Sequence, residues 1–190
     1  MTQKYNVAVA GATGAVGTEI VQILEQRNFP IDKLFLLASS KSKGKKVEFR
    51  DQEIVVEDLS EFDFSKAHIG LFSPGGKISA EFAPKAAKAG CIVIDNTSHF
   101  RMQQNIPLIV PEVNANALDD FFDDENRTNI ISNPNCSTIQ MVVALKPLHD
   151  KAIINRVVVS TYQAVSGAGK TGMDELFNQT QNVYANQELK

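Results

Sequence analysis

Two cysteines occur in the 190-residue chain, and their settings differ. Cys136 stands in Asn133-Pro134-Asn135-Cys136-Ser137-Thr138, where an apolar run ends and a helical pattern begins. A thiol at a helix start faces unpaired N–H groups and the positive end of the helix dipole, which favour the nucleophilic thiolate. The same N–H groups can stabilise an oxyanion formed when the sulfur attacks a carbonyl. Cys91, within Ala89-Gly90-Cys91-Ile92-Val93-Ile94, reads instead as a small buried hydrophobe. Most cysteines at helix starts are inert, so the neighbours of Cys136 must decide its role.

A second constellation is Gly11-Ala12-Thr13-Gly14-Ala15-Val16-Gly17, which follows the first apolar run and opens a helix. Glycines here permit a tight turn, close backbone approach to a pyrophosphate, and close helix–strand packing. The helix N-terminus then presents its N–H groups to the phosphates. The spacing is G-x-x-G-x-x-G rather than the commoner G-x-G-x-x-G, so the motif rests on its placement at the first strand–helix junction. After the second strand comes Ala38-Ser39-Ser40-Lys41-Ser42-Lys43-Gly44-Lys45. An acidic residue there would hold a ribose 2′-OH. Ser39, Lys41 and Ser42 suit a 2′-phosphate instead, and NADP is expected over NAD.

A third stretch, Ala164-Val165-Ser166-Gly167-Ala168-Gly169-Lys170-Thr171, matches a phosphate-binding P-loop except for alanine in the first glycine position. It raises a nucleotide triphosphatase as an alternative. No later apolar strand ends in a magnesium-binding aspartate, so this reading is the weaker one.

These residues need a scaffold, and the pattern supplies one. Tyr5–Ala10, Leu34–Ala38, Ile69–Phe72, Cys91–Asp95 and Asn129–Ser132 read as strands, with Ile106–Val110 as an added edge strand. Residues 45–57 read as a two-stranded excursion turning near Asp51. Helices are expected at Ala15–Gln26 (apolar positions Val16, Ile20, Ile23 and Leu24), Ser79–Lys88, Asn114–Phe122 and Ser137–Leu148, with a polar, helix-compatible stretch at Lys170–Tyr184. Ile153–Gln163 alternates like a longer strand. The alternation predicts an α/β fold: a Rossmann-type parallel sheet with helices on both faces, then the beginning of an α+β catalytic and dimerisation domain. The boundary is placed at 134, giving a cofactor-binding domain 1–134 and a second segment 135–190.

Composition excludes other classes. The net charge of −3 and the scattered Lys and Arg give no footprint for nucleic acid. No apolar run approaches the roughly 18 residues of a membrane span, and the start lacks a signal peptide's apolar core. Two cysteines fit a cytoplasmic protein without a disulfide framework. His68, His99 and His149 have no partners at ligand spacing, so no metal site is expected.

With these residues assembled, the chain resembles the aspartate-β-semialdehyde dehydrogenase family. The resemblance rests on the glycine loop, Asp95-Asn96-Thr97-Ser98, Val110-Pro111-Glu112-Val113-Asn114, Asn133-Pro134-Asn135-Cys136-Ser137-Thr138-Ile139-Gln140, and Ser160-Thr161-Tyr162-Gln163-Ala164-Val165-Ser166-Gly167-Ala168-Gly169, in the family's order. The acetylglutamyl-phosphate reductase family shares the chemistry but is less similar around these blocks. The resemblance implies reductive dephosphorylation of β-aspartyl phosphate to aspartate semialdehyde, in the aspartate pathway of lysine, threonine and methionine biosynthesis. It implies Cys136 as nucleophile forming a thioester, NADPH as hydride donor, and Gln163 as the residue orienting substrate. Arg101 would hold phosphate, with Asn135 and Asn96 lining the same cleft. Thr13, Gly14, Ala15, Val16, Lys41 and Ser42 match cofactor-contacting positions, as do Ser166 and Gly167.

Family members run to almost twice this length and form homodimers. Their second half carries an acid/base histidine and an arginine for the substrate carboxylate, and neither has a counterpart here. The expectation is therefore a truncated chain that binds NADP but turns over little by itself. On the same reading, the uncovered strand at 153–163 would be a site of self-association.

Overall fold

Six residues, Tyr5–Ala10, form the central strand β1. Their side chains alternate between faces: Val7 and Val9 enter one apolar cluster, Ala8 and Ala10 another, and all four are fully buried. Both faces of β1 are thus covered, the usual condition of a parallel strand. The computed structural model describes residues 3–188. In it β2 (Ile31–Ala38), β3 (Lys46–Phe49), β4 (Gln52–Asp58), β5 (Ile69–Phe72), β6 (Ile92–Asp95) and β7 (Ile130–Ser132) join β1 in one sheet. The order is β3-β4-β2-β1-β5-β6-β7, parallel throughout except for the β3–β4 pair. The expected Rossmann-type sheet is present.

Helices cover the two faces. On one, α1 (Ala15–Gln26) buries Gly17, Val21 and Leu24 at i, i+4 and i+7, and the last two join the cluster that holds Val7, Val9 and Leu36. The buried stripe differs from the sequence expectation, since Val16 and Ile23 are 43% and 37% exposed. Gly17 sets the helix rotation: a Cβ there would lie 2.0 Å from the Gly11 carbonyl oxygen, so only glycine can face the loop, and Val21 and Leu24 share its side. On the other face, α2 (Gly76–Lys88) buries Ala83, Ala86 and Ala87 with Ala8, Ala10 and Phe72.

The hairpin at 45–57 forms with its turn at Arg50 and Asp51, whose φ angles of +50° and +60° mark a two-residue turn twisted to suit a hairpin. It is not an excursion. Strand β4 also pairs in parallel with β2, Leu36 to Val56 and Ala38 to Asp58, and so extends the main sheet.

Two expectations fail and a third holds only in part. Ile106–Val110 makes one bridge, Leu108 to Ser132, because Pro107 within it and Pro111 just after it lack the N–H groups that would lengthen a ladder. The helix at Asn114–Phe122 is split into α3 (Pro111–Asn114) and α4 (Ala117–Asp123). The Asn114 side chain turns back at that break, accepting from Val110 N and donating to Leu108 O. Residues 153–163 form no strand: they pair with no strand among the described residues, and Ile153, Val158 and Tyr162 are exposed. Alternation suits a strand, but only a partner's ladder can satisfy its backbone groups.

Contacts divide the chain into Met1–Asn155 and Arg156–Lys190. The first unit ends with α5 (Cys136–Lys151). The second holds a 3-10 turn at Val165–Ala168 and α6 (Gly169–Tyr184), of which no residue is buried. No helix among the described residues is long and apolar enough to cross a membrane.

Candidate active site

Open parallel sheets bind ligands beyond the carboxyl ends of their strands, where the strand order reverses. Strand β1 is that point here, with β2 on one side and β5 on the other. A cleft of about 500 Å³ opens there. Gly11, Thr13 and Gly14 line it from the loop after β1, Ser39 and Ser40 from the end of β2, and Ser73 and Pro74 from the end of β5.

Backbone geometry explains the glycines. Gly11 has φ +85°, and a Cβ there would lie 2.7 Å from the Ser73 carbonyl oxygen. Its N–H donates to Leu37 O at 2.8 Å, tying the loop to β2. Gly14 is the N-cap of α1 with extended backbone, and no side chain caps the helix. The first-turn N–H groups of Ala15, Val16 and Gly17 are those left over by helix geometry. Thr13 Oγ1 donates to Ser42 Oγ at 3.4 Å, joining the loop to the 3-10 turn Ser40–Ser42. Lys41 is exposed on that turn and makes no ion pair among the described residues, whereas Lys43 pairs with Glu61 at 2.5 Å. Glu61, by hydrogen bond and charge, raises the Lys43 pKa above its ordinary value.

Asp58 was not foreseen. No carboxylate stands in the segment that follows β2, but one stands in the cleft. Pairing of β4 with β2 sets Asp58 beside Ala38, and Asp58 lines the cleft with Leu59 and Ser60. A second apolar strand ending in Glu57-Asp58 was the available signal.

The thiol lies at the same carboxyl edge of the sheet, after β7. Cys136 is the first residue of α5 and is exposed. Asn135 is the N-cap, its Oδ1 accepting from Ser137 N at 3.0 Å, so this side chain starts the helix. Arg101 is half-buried and held twice by backbone: Nε donates to Asn133 O and Nη2 to Asn96 O, each at 3.0 Å. Asn133 Nδ2 donates to Asn96 Oδ1 at 2.7 Å, closing a ring of three residues. The fully buried Asp95 steadies this ring, accepting from the Ser79 hydroxyl of α2 and from Thr97 N, while its carbonyl accepts from Asn133 N. The structure thus joins Arg101 and Asn96, with Asn133 as the unforeseen link two residues before the N-cap. Cys91 contrasts with all this. It is fully buried, and burial pushes its thiol up to about 12.

Gln163, Ser166 and Gly167 fall in the second unit, where all three are exposed. The P-loop alternative needs a strand before Ala164–Thr171, and residues 153–163 supply none.

Comparison with known proteins places the chain in a family. Residues 6–121 match the family described as semialdehyde dehydrogenase, NAD binding domain, and residues 145–190 match semialdehyde dehydrogenase, dimerisation domain. Aspartate-semialdehyde dehydrogenase 2 of Vibrio cholerae is 58% identical over 180 residues, covering 95% of this chain and 52% of that protein. The crystal structure of aspartate semialdehyde dehydrogenase II complexed with ASA from Vibrio cholerae is similar at TM-score 0.91 and 53% identity, over 100% of this chain and 55% of that one. Aspartate semialdehyde dehydrogenase with NADP from Candida albicans is similar at TM-score 0.65 and 26% identity, over 80% of this chain and 48% of that one. The chain spans about half the length of these relatives. With its glycine cradle and its Asn-Cys helix start on one sheet edge, the chain belongs to the semialdehyde dehydrogenase family.

Proposed function

We propose that the protein catalyses NADPH-dependent reductive dephosphorylation of β-aspartyl phosphate to aspartate semialdehyde through a thioester on Cys136. The observation that carries this reading is the exposed thiol at the start of α5, next in the chain to a ring that fixes a half-buried arginine. The Cys136 thiolate attacks the acyl-phosphate carbonyl, the carbon–oxygen bond to phosphate breaks, and phosphate leaves with the electron pair. Arg101, its plane fixed by two carbonyls, holds the phosphate with its remaining N–H groups. The α5 N–H groups stabilise the oxyanion. Gln163 orients the substrate by donating and accepting hydrogen bonds.

The cleft of about 500 Å³ beyond β1, β2 and β5 suits a dinucleotide, and Gly11 and Gly17 allow the close backbone packing that holds its loop, where any Cβ would meet backbone. Gly11, Thr13, Gly14, Ala15, Val16 and Gly17 would hold the pyrophosphate; Ser39, Lys41 and Ser42 the 2′-phosphate; Ser166 and Gly167 the nicotinamide end. NADPH, when bound, supplies a hydride to the thioester carbonyl carbon. Breaking the carbon–sulfur bond then releases the aldehyde and restores the thiolate. A place in lysine, threonine and methionine biosynthesis, a cytoplasmic setting, a homodimer and a functional division at 134 belong to the same reading.

Acylation tests it without requiring turnover. Incubated with β-aspartyl phosphate, the protein should gain the mass of one aspartyl group on Cys136 and release one equivalent of phosphate. Cys136→Ser should gain none. Modification that persists in Cys136→Ser, or none in the native protein, would overturn the assignment.

A further inference from the structure

The cleft has two chemical halves. One is the polar glycine loop with Ser39 and Ser40, suited to phosphates. The other is apolar, formed by Leu59 with Pro74, Ile78 and Phe82. Ile78 is 41% exposed there, although α2 buries three alanines elsewhere along its length. Apolar side chains left open beside a phosphate loop suit a flat heteroaromatic ring.

Asp58 stands at the border of this patch. It is 8% exposed, and both of its hydrogen bonds end on Oδ1: Ser60 N donates at 2.9 Å and Ser60 Oγ at 2.7 Å. Among the described residues no group donates to Oδ2. The Ser60 hydroxyl and N–H hold the carboxyl below the usual carboxylate range, so near neutral pH it only accepts hydrogen bonds. An acceptor-only group distinguishes purines at one position. Adenine offers an amino donor at carbon 6, whereas a 6-oxo purine offers another acceptor, which the carboxylate repels. A 2′-phosphate would also be repelled, which leaves that group to the Ser39 and Lys41 side.

We propose that Asp58 reads the base of the dinucleotide, accepting a hydrogen bond from the 6-amino group of an adenine seated against Leu59, Ile78 and Phe82. This rests on the cofactor reading above and adds to it a determinant of base identity. A buried acceptor facing the wrong group costs far more than a lost surface contact.

The test compares NADP with its hypoxanthine analogue, deamino-NADP, by calorimetric titration and by the shift in thermal unfolding midpoint. The native chain should bind NADP at least about tenfold more tightly than the analogue. In Asp58→Asn the amide oxygen must keep serving Ser60, which turns the donor-only NH2 toward the base, so the preference for NADP should vanish or reverse toward the analogue. Equal binding of both ligands by the native chain overturns the proposal, and so does an Asp58→Asn variant that keeps the tenfold preference. If neither ligand binds the native chain, the cofactor reading itself fails and this assignment fails with it. Should Asp58→Asn not fold, the native ratio alone decides.

Discussion

Two loops at the carboxyl edge of one sheet are built by opposite means. The loop after β1 is specified by what is missing: Gly11 and Gly17 sit where any Cβ would meet backbone at 2.7 and 2.0 Å. The loops after β6 and β7 are specified by what is present, through the Asn96, Arg101 and Asn133 ring over buried Asp95. Backbone contacts cannot yield, whereas a hydrogen-bond ring can lose a member and still close around water. A steric loop should therefore fail abruptly and a polar ring gradually.

Gly17→Ala should have the largest effect. Its methyl group would displace either the Gly11 carbonyl or α1, so a loss of roughly 3 kcal/mol or more is expected in urea unfolding. Dinucleotide binding should disappear with it. A loss below about 1 kcal/mol would show that this loop yields after all. Asn133→Ala should cost about 1–2 kcal/mol, because the Asn96 amide oxygen loses its donor while the backbone anchors of Arg101 remain. Asn133→Asp should do no better, since a carboxylate cannot donate to Asn96. Full stability in both variants would dissolve the contrast from the other side.

The smallest effect is a pH dependence at a side-chain-built turn outside both loops. Asp63 accepts from Ser65 Oγ at 2.7 Å and from Ser65 N at 3.1 Å, and these bonds lower its pKa in the folded state. A carboxyl with a lowered folded pKa contributes stability above its unfolded pKa and loses it as pH falls through the folded value. The urea midpoint should therefore hold between pH 8 and pH 5 and decline below about pH 4. Asp63→Asn should make that decline slightly shallower, and an unchanged slope would remove Asp63 from the account.

What the sequence revealed follows the same division. Strand β1, helix α1 and strand β5 were legible to the residue, because period, glycine and β-branched content are local signals. The glycine loop was legible because its specification is residue type at fixed spacing. Asp58 was hidden because its place depends on β4 pairing with β2, a contact between separate segments. Asn133 was hidden because its bonds run to Asn96 and Arg101, more than thirty residues away in the chain, and two of the ring's three links involve backbone carbonyls that leave no pattern in side-chain types. Residues 153–163 misled for the converse reason: a strand pattern is local, but a strand is not.

The margins of the sheet carry one more consequence. On one side it ends in β3, a four-residue strand with exposed Lys46 and Glu48, and Lys46 is paired across to Glu53 at 2.6 Å. On the other, residues 107–109 occupy the backbone groups of Ser132 in β7. One border is short and charged, and the other is already occupied at Ser132, so both discourage a passing strand. Copies of this sheet can crowd together without zipping into a continuous ribbon. Assembly at these borders is thus left to side chains, which mutation can tune, more than to backbone, which it cannot.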